Sequence, residues 1–585
     1  MEFQEIIEGL SAEQKDACTT KSNTYLTACP GSGKTLVLTR RLACLATTNP
    51  QSRKWNIAIT YTNRAADEIS NRLDALKIDQ TNIWTGTIHQ FCMQFIIRPY
   101  AMYSSRLAKG YTIIDEYTKR EYCNVIAKKL GITLKLYDDP FEWSQIKEKY
   151  FAQLETNKEI DFDQILQFSN DLVSTREYIC FNIASILNSI LVDEFQDTHE
   201  SQYEILAKIC RKNKSISLLF VGDVNQAIFG NLGGIVKSKA EIEALYDTVF
   251  VEKSLTGCYR STQRVVDFYT EFEVAATGVK SIADIKDVRG KLTYNSSISK
   301  DELAERIAAL ITTELASGVP PTEICVVAPQ WQSLFNISSD LKQCLPEVPF
   351  DAPDISPFKY DPMNPFYLLA RLTFTQSGQN VSLRKKVASE LLAILRDDFK
   401  IAIPEHIDNY DVLRIINRSL NQKEDGLAIL MTVIRSVFQQ LGISLESEDR
   451  LCTTSERFFE KAKDRIKRHG IATDYMSIAR FFLERQGVVV STIHGIKGEE
   501  YSTVIALSLL NGHLPHWDYI MKDEMKPLRR IETQKLLYVL GSRAKKNIYL
   551  FSETGYKTNK GNNLTATDEL IEGVQRLKVK HSEAK

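Results

Sequence analysis

The stretch Ala28-Cys29-Pro30-Gly31-Ser32-Gly33-Lys34-Thr35 decides the fold. A short apolar run, Thr24-Tyr25-Leu26-Thr27, leads into it, and a helical pattern over residues 36–45 follows. Strand, glycine-rich turn and helix in that order make a phosphate-binding loop. Its glycines leave backbone N–H groups free to wrap anionic oxygens, and the helix N-terminus adds a positive dipole. Lys34 is then placed to reach the outer phosphates of a nucleotide, and the Thr35 hydroxyl to ligate Mg2+. Ala28 stands where the common pattern has glycine, and it still keeps bulk away from the loop. Asp193-Glu194-Phe195-Gln196-Asp197 supplies the complement. Asp193 ends an apolar strand, where a carboxylate can hold the metal, and Glu194 is placed to orient or deprotonate an attacking water.

The bulk composition narrows the rest. At 585 residues the chain exceeds one core, so about three to five domains or subdomains are expected. The formal net charge is −1, so any surface for a polyanion must be a local groove. No apolar run approaches the ~18 residues of a membrane span. The start, MEFQEIIEGLSAEQ, is acidic and lacks the basic, then apolar, pattern of a secretory leader. Eleven cysteines without a Cys-x-x-Cys pair read as small buried residues in a reducing cytoplasm rather than as metal ligands.

Four apolar runs, at 57–60, 190–192, 218–221 and 249–251, alternate with helix-like stretches, the pattern of a parallel sheet covered on both faces. A second series lies at 324–327, 488–490, 504–507 and 548–551. Between them the alternation lapses into polar, helical sequence. The expected architecture is α/β, with two parallel-sheet domains, each interrupted by a helical insertion. The first sheet domain comprises 1–98 with 185–280 and carries the insertion 99–184. The second comprises 281–354 with 486–585 and carries the insertion 355–485. Chemistry-bearing loops should sit at the carboxyl ends of the strands.

Further motifs follow in order. Gly222-Asp223-Val224-Asn225-Gln226 ends another strand, and the Gln226 amide suits sensing a γ-phosphate. Tyr259-Arg260-Ser261 and Ser542-Arg543-Ala544-Lys545 each bring an arginine, which is always ionised and forks bidentately onto phosphate. Leu10-Ser11-Ala12-Glu13-Gln14, Thr60-Tyr61-Thr62-Asn63-Arg64, Gly86-Thr87-Ile88-His89-Gln90-Phe91 and Thr492-Ile493-His494-Gly495-Ile496-Lys497-Gly498-Glu499-Glu500 complete the series. Together these segments resemble the UvrD/Rep-type superfamily 1A DNA helicases, over residues 10 to 546, with both insertions matching poorly.

The resemblance implies two RecA-like domains and ATP hydrolysis with Mg2+, the metal held by Thr35 and Asp193. Lys34, Thr35, Asp193, Glu194, Gln226, Arg260 and Arg543 would carry the hydrolysis. Ala28, Cys29, Pro30, Gly31, Ser32 and Gly33 would form the nucleotide cradle, with Gln14 as the adenine-reading amide, Tyr259 stacked on the base and Glu500 on the ribose. Tyr61, Asn63, His89, Phe229, Thr492 and His494 would line a path for single-stranded DNA, where flat faces accept any base. The family steps 3′ to 5′; the chemistry of the sequence leaves polarity open.

The chain departs from the family at several points. Leu36 replaces an arginine that stacks on adenine, so apolar contact substitutes for a cation–π interaction and base selectivity should loosen. Asn231 and Leu232 stand where relatives place an aromatic and an arginine against DNA. The cluster Lys461, Lys463, Arg465, Lys467 and Arg468 reads as a solvated helix face, with Glu460 and Asp464 interspersed, over a duplex or partner surface. The compact build also resembles the helicase-like subunits of Gabija-type antiphage systems. That likeness implies an alternative, a DNA-end-sensing ATPase that regulates an OLD-family nuclease and unwinds little alone.

Overall fold

The computed structural model describes residues 3–48, 52–134, 139–230, 233–351, 356–375, 381–420, 425–445, 448–483, 485–558 and 560–583. Asn231 and Leu232 lie outside the described residues.

Two six-stranded sheets organise the chain, and every strand pair within them is parallel. In the first, the spatial order is Ile83–Thr87, Trp55–Thr60, Leu187–Asp193, Ser217–Gly222, Thr24–Ala28 and Val251–Leu255. Its central strands are buried on both faces, and alternate residues serve different cores. Ile57, Ile59, Ile190, Val192, Leu218 and Phe220 face one core, and Ala58, Leu191, Leu219 and Val221 face the other. This is why the strands read as unbroken apolar runs rather than as alternating ones. Val251–Leu255 is an edge strand and mostly polar, so the run expected at 249–251 falls at its margin; Val249 is 78% exposed.

The second sheet runs Leu292–Asn295, Ala544–Phe551, Tyr501–Ala506, Ile324–Ala328, Val488–Thr492 and Phe350–Asp351. The same alternation recurs: Val326, Val490 and Ile505 face one core, Val327, Val489 and Val504 the other. The chain leaves the first sheet at Leu255 and crosses directly to the second. Ser261 Oγ donates to the Ala544 carbonyl at 2.7 Å, and the helix Gln263–Thr270 shares a core with Leu537, Tyr538 and Leu540. The helix Gln263–Thr270 thus packs on the second sheet's side.

The described residues between 365 and 479 form a helical bundle around Phe366, Leu369, Leu391, Val433 and Phe438. The described residues of 99–184 divide in two. Helices Glu116–Lys129 and Ser144–Asn157 share a small core of Cys123, Ile126, Tyr150 and Leu154. Helices Phe162–Thr175 and Glu177–Ser185 instead pack onto the first sheet through Ile165, Leu172, Ile179 and Ile183.

The two inserted helical units are stitched together. Arg98 forks onto Asp398 at 3.0 and 2.7 Å, and the Tyr111 hydroxyl donates to the same carboxylate. From helix Asp449–His469, Arg457 pairs with Glu159 at 3.1 Å and Lys461 with Asp115 at 2.9 Å. The basic cluster on that helix is thus only partly the solvated face expected of it, because Lys461 is committed to the first insertion.

Candidate nucleotide and nucleic-acid site

Between the strand Thr24–Ala28 and the helix Lys34–Thr48 the chain makes the phosphate loop. Gly31 and Gly33 take φ of +72° and +84°, a region that disfavours any side chain. A Cβ at Gly31 would lie 2.6 Å from the Arg260 Cβ, and one at Gly33 would lie 2.8 Å from the Gln14 Nε2. The loop is fixed from both sides. Gln14 Nε2 donates to the Ser32 carbonyl at 2.9 Å, the Tyr259 N–H donates to the Gly31 carbonyl at 2.8 Å, and Ser32 Oγ donates to the Cys29 carbonyl at 2.7 Å. Ala28 and Cys29 are buried, and Pro30, Thr35 and Leu36 line the cleft.

Asp193 closes its strand, and Glu194 follows in the left-handed region at φ +51°. That costly conformation for a side-chain-bearing residue marks a constrained site. Glu194 Oε1 lies 3.3 Å from Lys34 Nζ. Burial works to strip Lys34 of its charge, but Glu194, Asp223 and Asp193 outweigh it and keep the ammonium protonated. Lys34 Nζ is nonetheless buried without a well-formed hydrogen bond, the state of a donor fitted to an anionic oxygen. Burial and the neighbouring Glu194 charge push Asp193 well above the usual carboxylate range. Glu194 is buried too, yet Lys34 and Lys497 hold it well below that range. Two adjacent carboxylates are thus driven apart in proton affinity.

Gln196 ties this turn to the next strand. Its Nε2 donates to Glu194, and its Oε1 accepts from the Asp223 N–H at 3.0 Å. Gly222 is required here, since a Cβ would fall 2.2 Å from the Gln196 Oε1. Asp223 in turn accepts from Gln226 Nε2 at 2.7 Å, which aims the amide oxygen of Gln226 at the second sheet. There Arg543 Nη2 donates to Gln226 Oε1 at 2.8 Å. Arg543 is 2% exposed, and burial lowers its guanidinium to about 10. Arg260 donates to Glu500 at 2.6 Å and to the Ser542 carbonyl at 3.0 Å. Both arginines are therefore held on the second sheet's side of the cleft. Glu500 also lies 3.5 Å from Lys545, and Tyr259, 44% exposed, opens onto the same cleft as Leu36.

Lys497, quoted above within a motif but given no role, proves central. Its ammonium pairs with Asp197, donates to the Gln226 carbonyl and sits 5.1 Å from the centre of the Phe229 ring. One buried cation from the second sheet thus touches both the carboxylate turn and the aromatic surface beyond it. Glu499, likewise unassigned, is bridged by Arg64 and Arg485.

On that far surface Tyr61 stacks on Phe229 with ring centres 4.8 Å apart and planes 23° from parallel, and His494 lies 5.7 Å from Phe229. Thr492 Oγ1 accepts from the Gly495 N–H at 3.1 Å, which fixes the turn carrying His494. Asn63 opens the helix Asn63–Ala75, whose cap is Thr62. His89 stands apart from this trio, edge-on to Phe162 at 5.7 Å. Asn63 also lines a narrow pocket with Tyr360, Arg371 and Lys386 of the second insertion, and Arg371 pairs with Asp67 one turn further along the same helix.

Comparison with known proteins agrees with this geometry. The sequence model of the UvrD/REP helicase N-terminal domain matches residues 10–142 and 137–244, and that of the UvrD-like helicase C-terminal domain matches 471–554. The chain is 22% identical to the ATP-dependent DNA helicase PcrA of Staphylococcus epidermidis, over 94% of this chain and 84% of that protein. PcrA of Staphylococcus aureus gives the same figures. PcrA of Leuconostoc citreum is 28% identical over 46% of this chain and 39% of its own length. Among the described residues no helix is long and apolar enough to cross a membrane. Matched on both sheets, with the phosphate loop, carboxylate turn and arginines gathered in one cleft, the chain belongs to the UvrD/REP family of ATP-dependent DNA helicases, superfamily 1A.

Proposed function

We propose that the chain couples ATP hydrolysis between its two sheets to movement along single-stranded DNA, 3′ to 5′, and separates duplex strands as it goes. The observation that carries this reading is the contact of Arg543 with Gln226, which links the two sheets at the base of the phosphate loop. Lys34 binds the outer phosphates, and Glu194, ionised and held by Gln196, takes the proton of the attacking water. The buried Lys34 ammonium, ion-paired with Glu194 but without a well-formed hydrogen bond, and the oxygen donors of Thr35 and Asp193 fit a nucleotide with Mg2+, and those two residues would hold the ion. When bound, Mg2+ supplies charge neutralisation at the phosphates. Arg260 and Arg543 complete the site from the other side, so nucleotide draws the sheets together and its loss releases them. Through Lys497 that closure reaches Phe229 and Tyr61, where bases would stack.

No described residue favours the nuclease-regulating alternative over translocation. The test is Mg2+-dependent ATPase activity with and without single-stranded DNA, followed by strand separation on duplexes bearing a 3′ or a 5′ tail. Stimulation by DNA and opening of the 3′-tailed duplex support the reading. Turnover that ignores DNA, or opening of the 5′-tailed duplex alone, would overturn it.

A further inference from the structure

The carboxylate of Glu499, 11% exposed, is bound from three directions. Arg485, in the segment that leads from the second insertion into the strand Val488–Thr492, donates to it, and so does the Tyr501 hydroxyl at the start of the strand Tyr501–Ala506. Arg485 also donates to the Tyr501 oxygen at 2.9 Å, so these three side chains form a closed set on the second sheet's side. Burial works against the Arg485 charge, yet Glu499 and Tyr501 raise its guanidinium above the ordinary value. The third partner comes from across the cleft. Arg64, on the helix Asn63–Ala75 beside the first sheet, pairs with the other carboxylate oxygen. Arg64, Gly498 and Glu499 line the same cleft as Gly31, Lys34 and Tyr259.

Residues 497–499 thus touch the first sheet's side twice, and the two contacts differ in what parting them costs. The side chains of Lys497 and Asp197 are 8% and 0% exposed, so separating them strands a buried charge. That of Arg64 is 68% exposed, and its charge stays hydrated whether or not it is paired. Once released, Arg64 has Glu68 one turn along its own helix, the spacing at which opposite charges meet, where Arg72 already pairs at 2.5 Å. Glu499 keeps Arg485 and Tyr501. Neither partner is left as a buried, uncompensated charge, so this pair makes and breaks cheaply and carries the strength of a screened surface pair.

Resting on the ATPase reading above, we propose that Arg64 and Glu499 form a reversible latch across the nucleotide cleft, positioning residues that favour the closed arrangement of the two sheets without touching nucleotide. The latch raises the fraction of molecules in which Arg260 and Arg543 are already gathered at the phosphate loop. Apparent nucleotide affinity scales with that fraction, whereas the rate of the closed, loaded state does not.

The experiment is steady-state ATP hydrolysis by the full chain without DNA, with calorimetric titration by the non-hydrolysable imido analogue of ATP, both with Mg2+ and at low ionic strength. Arg64→Ala should raise KM for ATP and Kd for the analogue about two- to fivefold, the range of an exposed ion pair, with kcat unchanged. The difference from the parent chain should shrink as salt is raised. Arg64→Lys keeps the charge and should stay near the parent, while Arg64→Glu sets like charges together and should raise KM further. Glu499→Gln should raise KM as Arg64→Ala does and add nothing to it when the two are combined. The exposed Arg64 series carries the test should Glu499→Gln fail to fold. Parental KM and Kd in Arg64→Ala would overturn the proposal, as would an equal loss in Arg64→Lys or a fall in kcat at unchanged KM. A loss confined to binding of a single-stranded oligonucleotide, with analogue binding intact, would make Arg64 a DNA contact and overturn it too. A parent chain that neither binds the analogue nor hydrolyses ATP would instead remove the ATPase reading itself.

Discussion

Arg543 and Gln226 come from different sheets and are 317 residues apart in sequence, yet a single hydrogen bond of 2.8 Å joins them in the interior. Gln226 is oriented for this by Asp223, and Arg543 by the Val539 and Glu499 carbonyls. A sensor of the γ-phosphate needs such a linkage, since it must report an event on one domain to the other. Arg543→Ala and Gln226→Ala should each lower kcat by ~10²–10³ with modest change in nucleotide affinity. Because the two act as one unit, the double variant should be little worse than either single one. Strictly additive losses in kcat would show that they work independently.

The ion pair of Lys34 with Glu194 predicts a separation of binding from turnover. Lys34→Ala should weaken nucleotide binding. Glu194→Gln should keep binding, since the amide still fits beside Gln196, while single-turnover hydrolysis falls by two or more decades. Hydrolysis by Glu194→Gln at the parental rate would take the catalytic role away from this residue.

Lys497 predicts a cost in stability as well as in coupling. Its side chain is 8% exposed and that of Asp197 not at all. Removing the cation strands a buried carboxylate, a loss of about 3–5 kcal/mol. Lys497→Ala should therefore lower the denaturation midpoint markedly, and adding Asp197→Asn should recover much of it. DNA stimulation of the ATPase should stay lost in the double variant, because the contact to Phe229 is not restored. A double variant still fully stimulated by DNA would show that coupling runs elsewhere.

His89 carries a pH signature. Burial, with His199 nearby adding to it and Asp163 opposing, pushes the imidazole down to about 4. Its folded pKa thus lies below its unfolded value, so the folded chain binds fewer protons across that interval. The stability this contributes is present above about pH 6.5 and is lost as pH falls towards 4. Melting midpoints measured from pH 7.5 to 5 should fall less steeply in His89→Gln than in the parent chain. Parallel curves would place the acid sensitivity in other groups.

The two sheets were legible in the sequence because their central strands are buried on both faces. Continuous runs such as 218–221 and 324–327, set between helix-like stretches, fit strands covered on both faces. Edge strands were not. Leu292–Asn295 and Phe350–Asp351 are short and partly exposed, and Val251–Leu255 is polar enough that the apolar run beside it drew attention instead. The phosphate loop and carboxylate turn are local motifs, so residue type and spacing sufficed to find them. Lys497 could not be found that way, since Asp197 and Gln226 lie 300 and 271 residues away and only the fold brings them within reach.

Asp398 offers the sharpest test of how the inserted units are held. Its carboxylate accepts from Nε and Nη2 of Arg98 and from the Tyr111 hydroxyl, while the Asp398 carbonyl meets Arg450 of the long helix at 3.4 Å. Both charged side chains are largely buried, at 13% and 7% exposure. Asp398→Ala takes from the largely buried Arg98 guanidinium the carboxylate it forks onto, a local cost of about 3–5 kcal/mol. The cost falls on docking rather than on either core, because Leu391, Val412 and Val433 of the second insertion make no use of the pair. Hydrogen exchange should therefore quicken where that insertion meets residues 98–113, and remain slow in its own interior and in the first sheet. Adding Arg98→Met removes the stranded charge and should restore much of the protection. If Asp398→Ala instead loosens the whole chain uniformly, the bundle at 365–479 does not behave as a separately cored unit.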